Sequence, residues 1–309
     1  MGAYFTAFVK AAAPTIVLTF IDNNPDFYRL SALNPNIKTV FVQNGWRDKF
    51  LEVRRLPDMP FVDHMCVYNE LIGRYYSKFI GGQYHCVGSV PNNHIRAPKQ
   101  PGDNSVLFIS QYRERPIKNS DYFYTDVFGN DISFSVFYYP ESVVLPLLSQ
   151  WCKDNNRKLV VAGSSITSSD AEIAFFEKYI DGEWSYRKRE NEFSSYELLD
   201  LSEIIVTIDS NLGYEAFARG KRTAFVTCRA ERLYVDDRIF CWHAGFSDNG
   251  PFWTNSCEGK NILSILNYLQ RVTVADWEHT RRQYADDVMI YDPGNSRFKS
   301  LLEQLLQKA

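Results

Sequence analysis

The sequence predicts an α/β protein built on two parallel β-sheets. Short β-branched and aromatic runs recur with helical segments between them, several runs are apolar throughout rather than alternating, and the runs fall into two series separated by a loop-rich stretch. The first series places strands at 15–21, 38–43, 64–68, 84–87 and 105–110, with helices near 25–33 and 69–79. The second places strands at 158–162, 184–187, 204–208 and 222–226, with helices near 141–155, 169–179, 195–201 and 213–219. Runs such as 15–21 and 204–208 carry too few polar residues to face water on either side, so their sheets should be covered on both faces. Residues 113–134 are rich in Asp, Asn, Tyr and Gly without a clear period and hold the expected boundary, giving domains 1–118 and 119–309. Beyond 226 the pattern gives way to loops containing Cys241-Trp242-His243 and Gly250-Pro251-Phe252-Trp253. Helices follow near 262–270 and 296–308, the last expected to pack back across the domains.

Composition narrows the function. A net charge of -3, with 34 basic against 37 acidic residues, argues against nucleic acid, whose binders show a domain-wide basic excess. The longest apolar run, 15–21, is far too short to span a bilayer, and the N-terminus lacks the layout of a signal peptide, so the protein is expected to stay in the cytoplasm. Six widely spaced cysteines contain no C-x-x-C pair; they read as reduced thiols, several of them buried, and imply no metal site. The five histidines form no H-x-x-x-H pair, and no G-x-S-x-G, P-loop or G-x-G-x-x-G motif is present. An aromatic share of 15% suits either stacking on rings and sugars or a bulky core.

Parallel sheets gather ligands beyond the carboxyl ends of their strands, so the residues that leave each run are the informative ones. The first series exits into Asp22-Asn23-Asn24, Gln43-Asn44-Gly45-Trp46-Arg47, Gly88-Ser89 with Asn92-Asn93, and Ser110-Gln111-Tyr112-Arg113. Asn, Asp, Gly and Ser also make turns, but four such exits on one edge suggest a cleft. The second series exits into Gly163-Ser164-Ser165 and into Asp209-Ser210-Asn211-Leu212-Gly213-Tyr214-Glu215, which opens a helix directly after a strand. A helix N-terminus has unpaired N–H groups and a partial positive charge that suit a phosphate. Ser210 and Asn211 are placed to contact it, and Glu215, one turn further in, could accept both hydroxyls of a ribose. Glycosyl transfer needs a carboxylate or imidazole at the anomeric carbon and positive charge on the leaving phosphate. Asp22 and Glu141 are the candidate catalytic carboxylates, although Glu141 is also what the macrodipole favours in a first helical turn. Arg47, Arg113 and Lys221 are candidate phosphate partners.

The strings Thr19-Phe20-Ile21-Asp22-Asn23, Val42-Gln43-Asn44-Gly45-Trp46-Arg47, Phe108-Ile109-Ser110-Gln111-Tyr112-Arg113, Asp209-Ser210-Asn211-Leu212-Gly213-Tyr214-Glu215-Ala216 and Gly250-Pro251-Phe252-Trp253 resemble bacterial surface-carbohydrate biosynthesis proteins. These are GT-B-like glycosyltransferases of lipopolysaccharide and capsule assembly, a group that includes transferases using CMP-activated Kdo and other ulosonic acids. The resemblance implies two Rossmann-like domains facing a cleft, a nucleotide-sugar donor held by the second, and a glycan acceptor approaching from the first. It implies a metal-independent enzyme without a further cofactor, a CMP-linked donor, an acceptor that is a glycan or lipid-linked glycan, and peripheral contact with the inner face of the cytoplasmic membrane. Ser210, Asn211 and Glu215, with Ser164 and Lys221, would hold the nucleotide; Asp22, Gln43, Asn44, Arg47, Arg113 and Glu141 would surround the sugar. Members of the group carry further residues before the first of these strings, so an abbreviated N-terminal domain is expected. Two other outcomes remain compatible with the residues: a catalytically silent glycan-binding or scaffolding subunit, and a polyol-phosphate transferase or nucleotide-sugar epimerase of the same architecture.

Overall fold

The computed structural model describes residues 2–33, 36–47, 59–96, 103–117, 119–126, 128–164, 166, 169–233 and 238–307. The chain forms two compact units, one of Met1–Arg96 with Tyr284–Ala309 and the other of Ala97–Gln283. Both are parallel α/β units of the Rossmann-like kind found in GT-B proteins. No helix among the described residues is long and apolar enough to cross a membrane.

In the first unit, β1 (Ile16–Thr19), β2 (Lys38–Val42), β3 (Phe61–Val67) and β4 (Gly81–Cys86) pair in the order of the chain. The sequence extended the first strand to Ile21; it ends at Thr19, and Phe20 and Ile21 are exposed because the chain turns away to bury Asp22. On one face of this sheet Val40, Val42, Cys66 and Val87 pack against Phe298, Leu301 and Leu305 of the helix Ser296–Gln307. That helix repeats apolar residues every three or four positions, the spacing that puts them on one stripe. The segment leading into it is fixed by buried asparagines. Asn69 Nδ2 donates to the carbonyls of Asp287 and Val288 at 2.7 and 3.0 Å, and Asn93 accepts from the Asp292 N–H at 3.0 Å through its side chain. Asn92 and Asn93, read from the sequence as part of a polar exit, are fully buried, and Asn93 spends its side chain on this docking.

In the second unit, β5 (Asp103–Ile109) is followed by an antiparallel hairpin of β6 (Tyr122–Thr125) and β7 (Asp131–Ser133), then β8 (Lys158–Ala162), β9 (Trp184–Arg187), β10 (Ser202–Thr207), β11 (Arg222–Val226) and β12 (Trp253–Thr254). The sheet runs β12-β11-β10-β5-β8-β9, every pairing parallel. From β5 the chain therefore builds outward through β8 and β9, returns to the other side of β5, and builds outward again through β10, β11 and β12.

β5 corrects the sequence reading, which counted it in the first series and placed the boundary at 118/119; the units divide at 96/97. Leu107 lies opposite both Val160 of β8 and Ile205 of β10, so this strand is the centre of the second sheet. A central strand is apolar on both faces in either sheet, and its own residues carry no sign of which one it joins. The stretch 113–134, read as weakly periodic and as the domain boundary, holds the hairpin and its aromatic cluster of Phe123, Phe134 and Tyr138 with Tyr112 and Phe175. Helices Gly2–Ala12 and Val274–Arg282 were also absent from the sequence reading.

The helix Asn211–Ala218 packs very close to β10 at Gly213, where a methyl group would stand 2.4 Å from Thr207 Cγ2. Gly213→Ala should therefore lower stability by about 1–3 kcal/mol in urea unfolding, since an overpacked contact must displace helix or strand. Adding Thr207→Ser, which removes the clashing methyl, should restore part of the loss.

Candidate functional site

Ligands of an open parallel sheet bind outside its carboxyl edge at the point where strand order reverses. In the second unit that point lies between β5 and β10. The two exits meet there: Gln111 Oε1, following β5, accepts the backbone N–H of Asp209, following β10, at 3.4 Å. Thr207 Oγ1 accepts the Ser210 N–H at 3.2 Å and shapes the turn into the helix Asn211–Ala218. Ser210 is the N-cap residue, yet its side chain makes no capping bond, and Asn211 Oδ1 is buried without a partner among the described residues. The Gly213 N–H turns back to the Ser210 carbonyl at 3.0 Å, and among the described residues no side chain caps the N–H groups of Asn211 and Leu212 ahead of it.

Behind this edge lies a buried charge cluster. The Arg229 side chain is 0% exposed and donates from Nε to Asp209 Oδ2 at 3.0 Å, from Nη2 to Glu141 Oε1 at 2.8 Å, and from Nη1 to the Phe137 carbonyl. Its guanidinium also sits 3.9 Å from the centre of the Phe137 ring, where the negative ring face favours a cation. Arg238, whose side chain is 30% exposed, reaches Asp209 Oδ2 at 3.4 Å from the solvent side. Burial alone would raise the Asp209 carboxyl, but Arg229 and Arg238 outweigh it and hold the group below the usual carboxylate range. Burial dominates at Glu141 and raises its carboxyl despite Arg229. Asp209 Oδ1 and Glu141 Oε2 have no hydrogen-bond partner among the described residues.

Another buried carboxylate, Glu172, ties the loops after β5 and β8 together. It accepts from Ser110 Oγ, from the Ser164 N–H at 2.9 Å and from the Tyr186 hydroxyl at 2.8 Å. Ser164, expected at the nucleotide, donates its hydroxyl to the Tyr112 carbonyl at 2.6 Å, so its side chain is spent on loop geometry.

The structure brings Ser210, Asn211 and Arg113 to the same edge, with Arg113 exposed and its N–H held by the Tyr138 hydroxyl at 2.7 Å. Glu215 lies one turn into the helix, buried, with its Oε2 accepting from the Tyr196 hydroxyl at 3.0 Å. Lys221 is not brought there. It precedes β11 at the amino end of the strands, donates to the Asp200 carbonyl at 3.0 Å, and burial lowers its ammonium pKa. The sequence placed it correctly after a helix but could not show that the chain had already returned to the opposite edge of the sheet. At that amino edge lies a cavity of about 800 Å³ lined by Tyr268, Arg271, Asp276 and His279 among others.

In the first unit, Asp22 and Arg47 form one assembly. The Asp22 side chain is 0% exposed, takes Arg47 Nε at 3.2 Å on both oxygens and Arg47 Nη2 on one, and takes the Tyr76 hydroxyl at 2.7 Å. Arg47 Nη2 also donates to Asn44 Oδ1. Gln43 is buried and accepts the Tyr68 N–H at 3.0 Å while donating to the Gly45 carbonyl at 2.9 Å. The two carboxylates expected at the reacting carbon, Asp22 and Glu141, are thus both enclosed and both engaged by an arginine. Sequence reasoning missed Arg229, Glu172 and the anchoring role of Asp209; an arginine three residues beyond the run 222–226, in the exit of that strand, was the available signal for the first.

One more expectation is corrected at this edge. Cys228, after β11, and Cys257, after β12, are paired in a disulfide with Cα atoms 5.3 Å apart, whereas the sequence read all six cysteines as thiols. They lie 29 residues apart, so only the adjacency of β11 and β12 brings them together. Cys66, Cys86, Cys152 and Cys241 are not disulfide-bonded.

No curated protein matches the sequence. Among solved structures, the "putative UDP-N-acetylglucosamine 2-epimerase" of Listeria monocytogenes superposes with a TM-score of 0.64 at 11% identity, covering 100% of this chain and 79% of that one. The UDP-GlcNAc 2-epimerase of Neisseria meningitidis, bound to UDP-GlcNAc, gives 0.55 at 15% identity over 99% and 80%. A glycosyltransferase of Rickettsia africae gives 0.53 at 10% identity over 100% and 81%. At these identities the likeness is one of fold. The family described as "putative O-antigen biosynthesis protein" matches residues 40–306. That match spans most of the chain, which therefore belongs to this family of O-antigen biosynthesis proteins.

Proposed function

We propose that the chain is a glycosyltransferase of O-antigen assembly that draws its sugar from a nucleotide donor held by the second unit. The observation that carries this reading is the meeting of β5 and β10, where a helix begins without a capping side chain, Arg113 after β5 is exposed, and Arg238, partly exposed, reaches Asp209 after β10. That is the charge a departing nucleotide phosphate requires, supplied by fixed dipoles and arginines without a metal. In this reading Ser210 and Asn211 contact the phosphates, and Glu215, oriented by Tyr196, receives the ribose hydroxyls. The sequence resemblance makes a CMP-linked ulosonic acid the first donor to try.

Asp22 and Glu141 are assigned as positioning residues in this scheme. Each is enclosed and holds an arginine in place, Arg47 and Arg229 respectively, and neither offers an exposed oxygen to a substrate. A second reading, nucleotide-sugar epimerisation, is favoured by the fold shared with the Listeria and Neisseria structures and would need no acceptor.

Thermal-shift titration with CMP, UDP, UDP-GlcNAc and a CMP-linked ulosonic acid, without metal and then with magnesium, tests the proposal. The expected result is a shift in the absence of metal, since a ligand that binds only the folded state stabilises it. Sugar transferred to a glycan acceptor supports the transferase, an altered nucleotide sugar without acceptor supports the epimerase, and no shift with any nucleotide favours a scaffolding subunit. Glu215→Ala should weaken nucleotide binding by about tenfold or more, the scale of a lost charge-assisted hydrogen bond. Glu141→Gln should keep measurable turnover with an unchanged pH profile; loss of one limb of that profile would make Glu141 an acid or base instead.

The charge cluster carries its own prediction. Asp209→Asn leaves Arg229 short of a counter-ion and should lower stability at neutral pH by about 3–5 kcal/mol. Because the folded-state value of Asp209 is depressed, the stability it supplies is present above the unfolded carboxylate value and lost as pH falls through the folded one. The gap between wild type and Asp209→Asn in urea unfolding should therefore shrink on acidification.

A further inference from the structure

We propose that Cys228 and Cys257 are a reversible redox modification site whose disulfide fixes the start of the segment carrying Arg229. Cys228 immediately precedes Arg229, and the helix that follows, Arg229–Leu233, is a little over one turn. Cys257 lies beyond β12, which pairs with β11 over only two residues, Trp253 and Thr254. Past that short ladder the two exits are joined, among the described residues, by the Thr227 N–H to the Thr254 carbonyl at 2.9 Å, Thr227 Oγ1 to the same carbonyl at 3.2 Å and to Asn255 Oδ1 at 2.8 Å, the Cys257 N–H to Glu231 Oε2 at 3.3 Å and Cys257 Sγ to the Cys228 carbonyl at 3.9 Å. The disulfide is the one covalent tie among them, and it is made beside the residue that holds Asp209 and Glu141 together.

The two sulfurs differ in access. Cys228 is 0% exposed, whereas Cys257 is half-buried and is the sulfur that a small thiol or disulfide can reach. The cysteines outside the disulfide are poor nucleophiles at neutral pH: burial pushes the Cys66, Cys86 and Cys152 thiols up to about 12, and Cys241 is buried. Starting from the reduced pair, the Cys257 thiolate attacks a low-molecular-weight disulfide such as oxidised glutathione, releasing one glutathione and leaving a mixed disulfide on Cys257. Cys228 then gives up its proton and attacks the Cys257 sulfur, releasing the second glutathione. The two cysteines lose two electrons and two protons, and the glutathione disulfide gains them as two thiols.

The redox step stands on the pair alone; its effect on ligand binding rests on the nucleotide reading of the β5/β10 edge. The test is to equilibrate the full chain across a series of reduced and oxidised glutathione buffers. The disulfide fraction is read by alkylation and peptide mass spectrometry, and amide hydrogen exchange is followed over 229–233 and 139–144. The expected result is a single two-electron transition within the range of the glutathione couple. Exchange in both segments should be about tenfold faster in the reduced state, a modest local loosening. Cys257→Ser should show the reduced pattern in every buffer, and the reduced wild-type chain gives the same information should that variant not fold. A pair that stays thiol in the most oxidising buffer, stays disulfide in the most reducing one, or switches without altering exchange near Arg229 overturns the proposal. UDP and CMP titrated into both states should bind about five- to tenfold more weakly to the reduced chain, the lower end of ordinary site-to-site coupling. Equal affinity in both states would break the link to the site. Absence of binding in both would overturn the nucleotide reading and leave the redox transition to be judged by exchange.

Discussion

The carboxyl edge of the second sheet is organised around one buried cation. Removing an arginine from water costs several kcal/mol, and Arg229 offsets that cost in the interior through Asp209, Glu141, the Phe137 carbonyl and the Phe137 ring. These partners come from different parts of the chain. Asp209 follows β10, Arg229 follows β11, Glu141 opens the helix Tyr139–Asp154, and Phe137 ends the turn after the β6–β7 hairpin. Satisfying one guanidinium therefore fixes four segments relative to one another. The requirement is geometric before it is energetic, since a fork of planar donors accepts only a narrow range of partner positions.

Two other clusters follow the same logic. Asp22 in the first unit holds Arg47 and the Tyr76 hydroxyl, and Glu172 in the second gathers Ser110, Ser164 and Tyr186. In each, a buried carboxylate takes a donor from a strand exit, Arg47 after β2 or Ser110 and Ser164 after β5 and β8, and ties it to a regular element, the helix Glu70–Tyr76 through Tyr76 or β9 through Tyr186. In the nucleotide reading proposed above, Ser210, Asn211, Arg113 and Arg238 meet the ligand from the second of these bases.

Much of this was legible in the chain. The strands 158–162, 184–187 and 222–226 coincide with β8, β9 and β11, because apolar runs bounded by turn residues leave little freedom of interpretation. The helix after Asp209-Ser210 was likewise visible. Sheet membership was not, since β5 joins the second sheet through hydrogen bonds to strands more than forty residues away and its own residues would suit either sheet. Polar residues at strand exits were read as ligands in waiting, yet Asp22, Ser164 and Asn93 turn inward to hold the structure. A carboxylate that binds substrate and one that anchors a loop look identical in one dimension; only burial and a partner distant in sequence tell them apart. The pairing of Cys228 with Cys257 was hidden for the same reason.

The first unit is assembled from Met1–Arg96 and Tyr284–Ala309, with the whole of the second unit lying between them in the chain. On the ribosome this imposes an order. The first sheet emerges early, but Val40, Val42, Cys66 and Val87 wait for the helix Ser296–Gln307 to cover them while nearly two hundred residues are still being added. At about 5–20 residues per second that interval is of the order of ten seconds or more. The second unit, contiguous in the chain, has everything it needs before that helix exists. Synthesis thus favours the unit carrying the β5/β10 edge as the first to become native, and the early-made strands are the ones most in need of protection from aggregation.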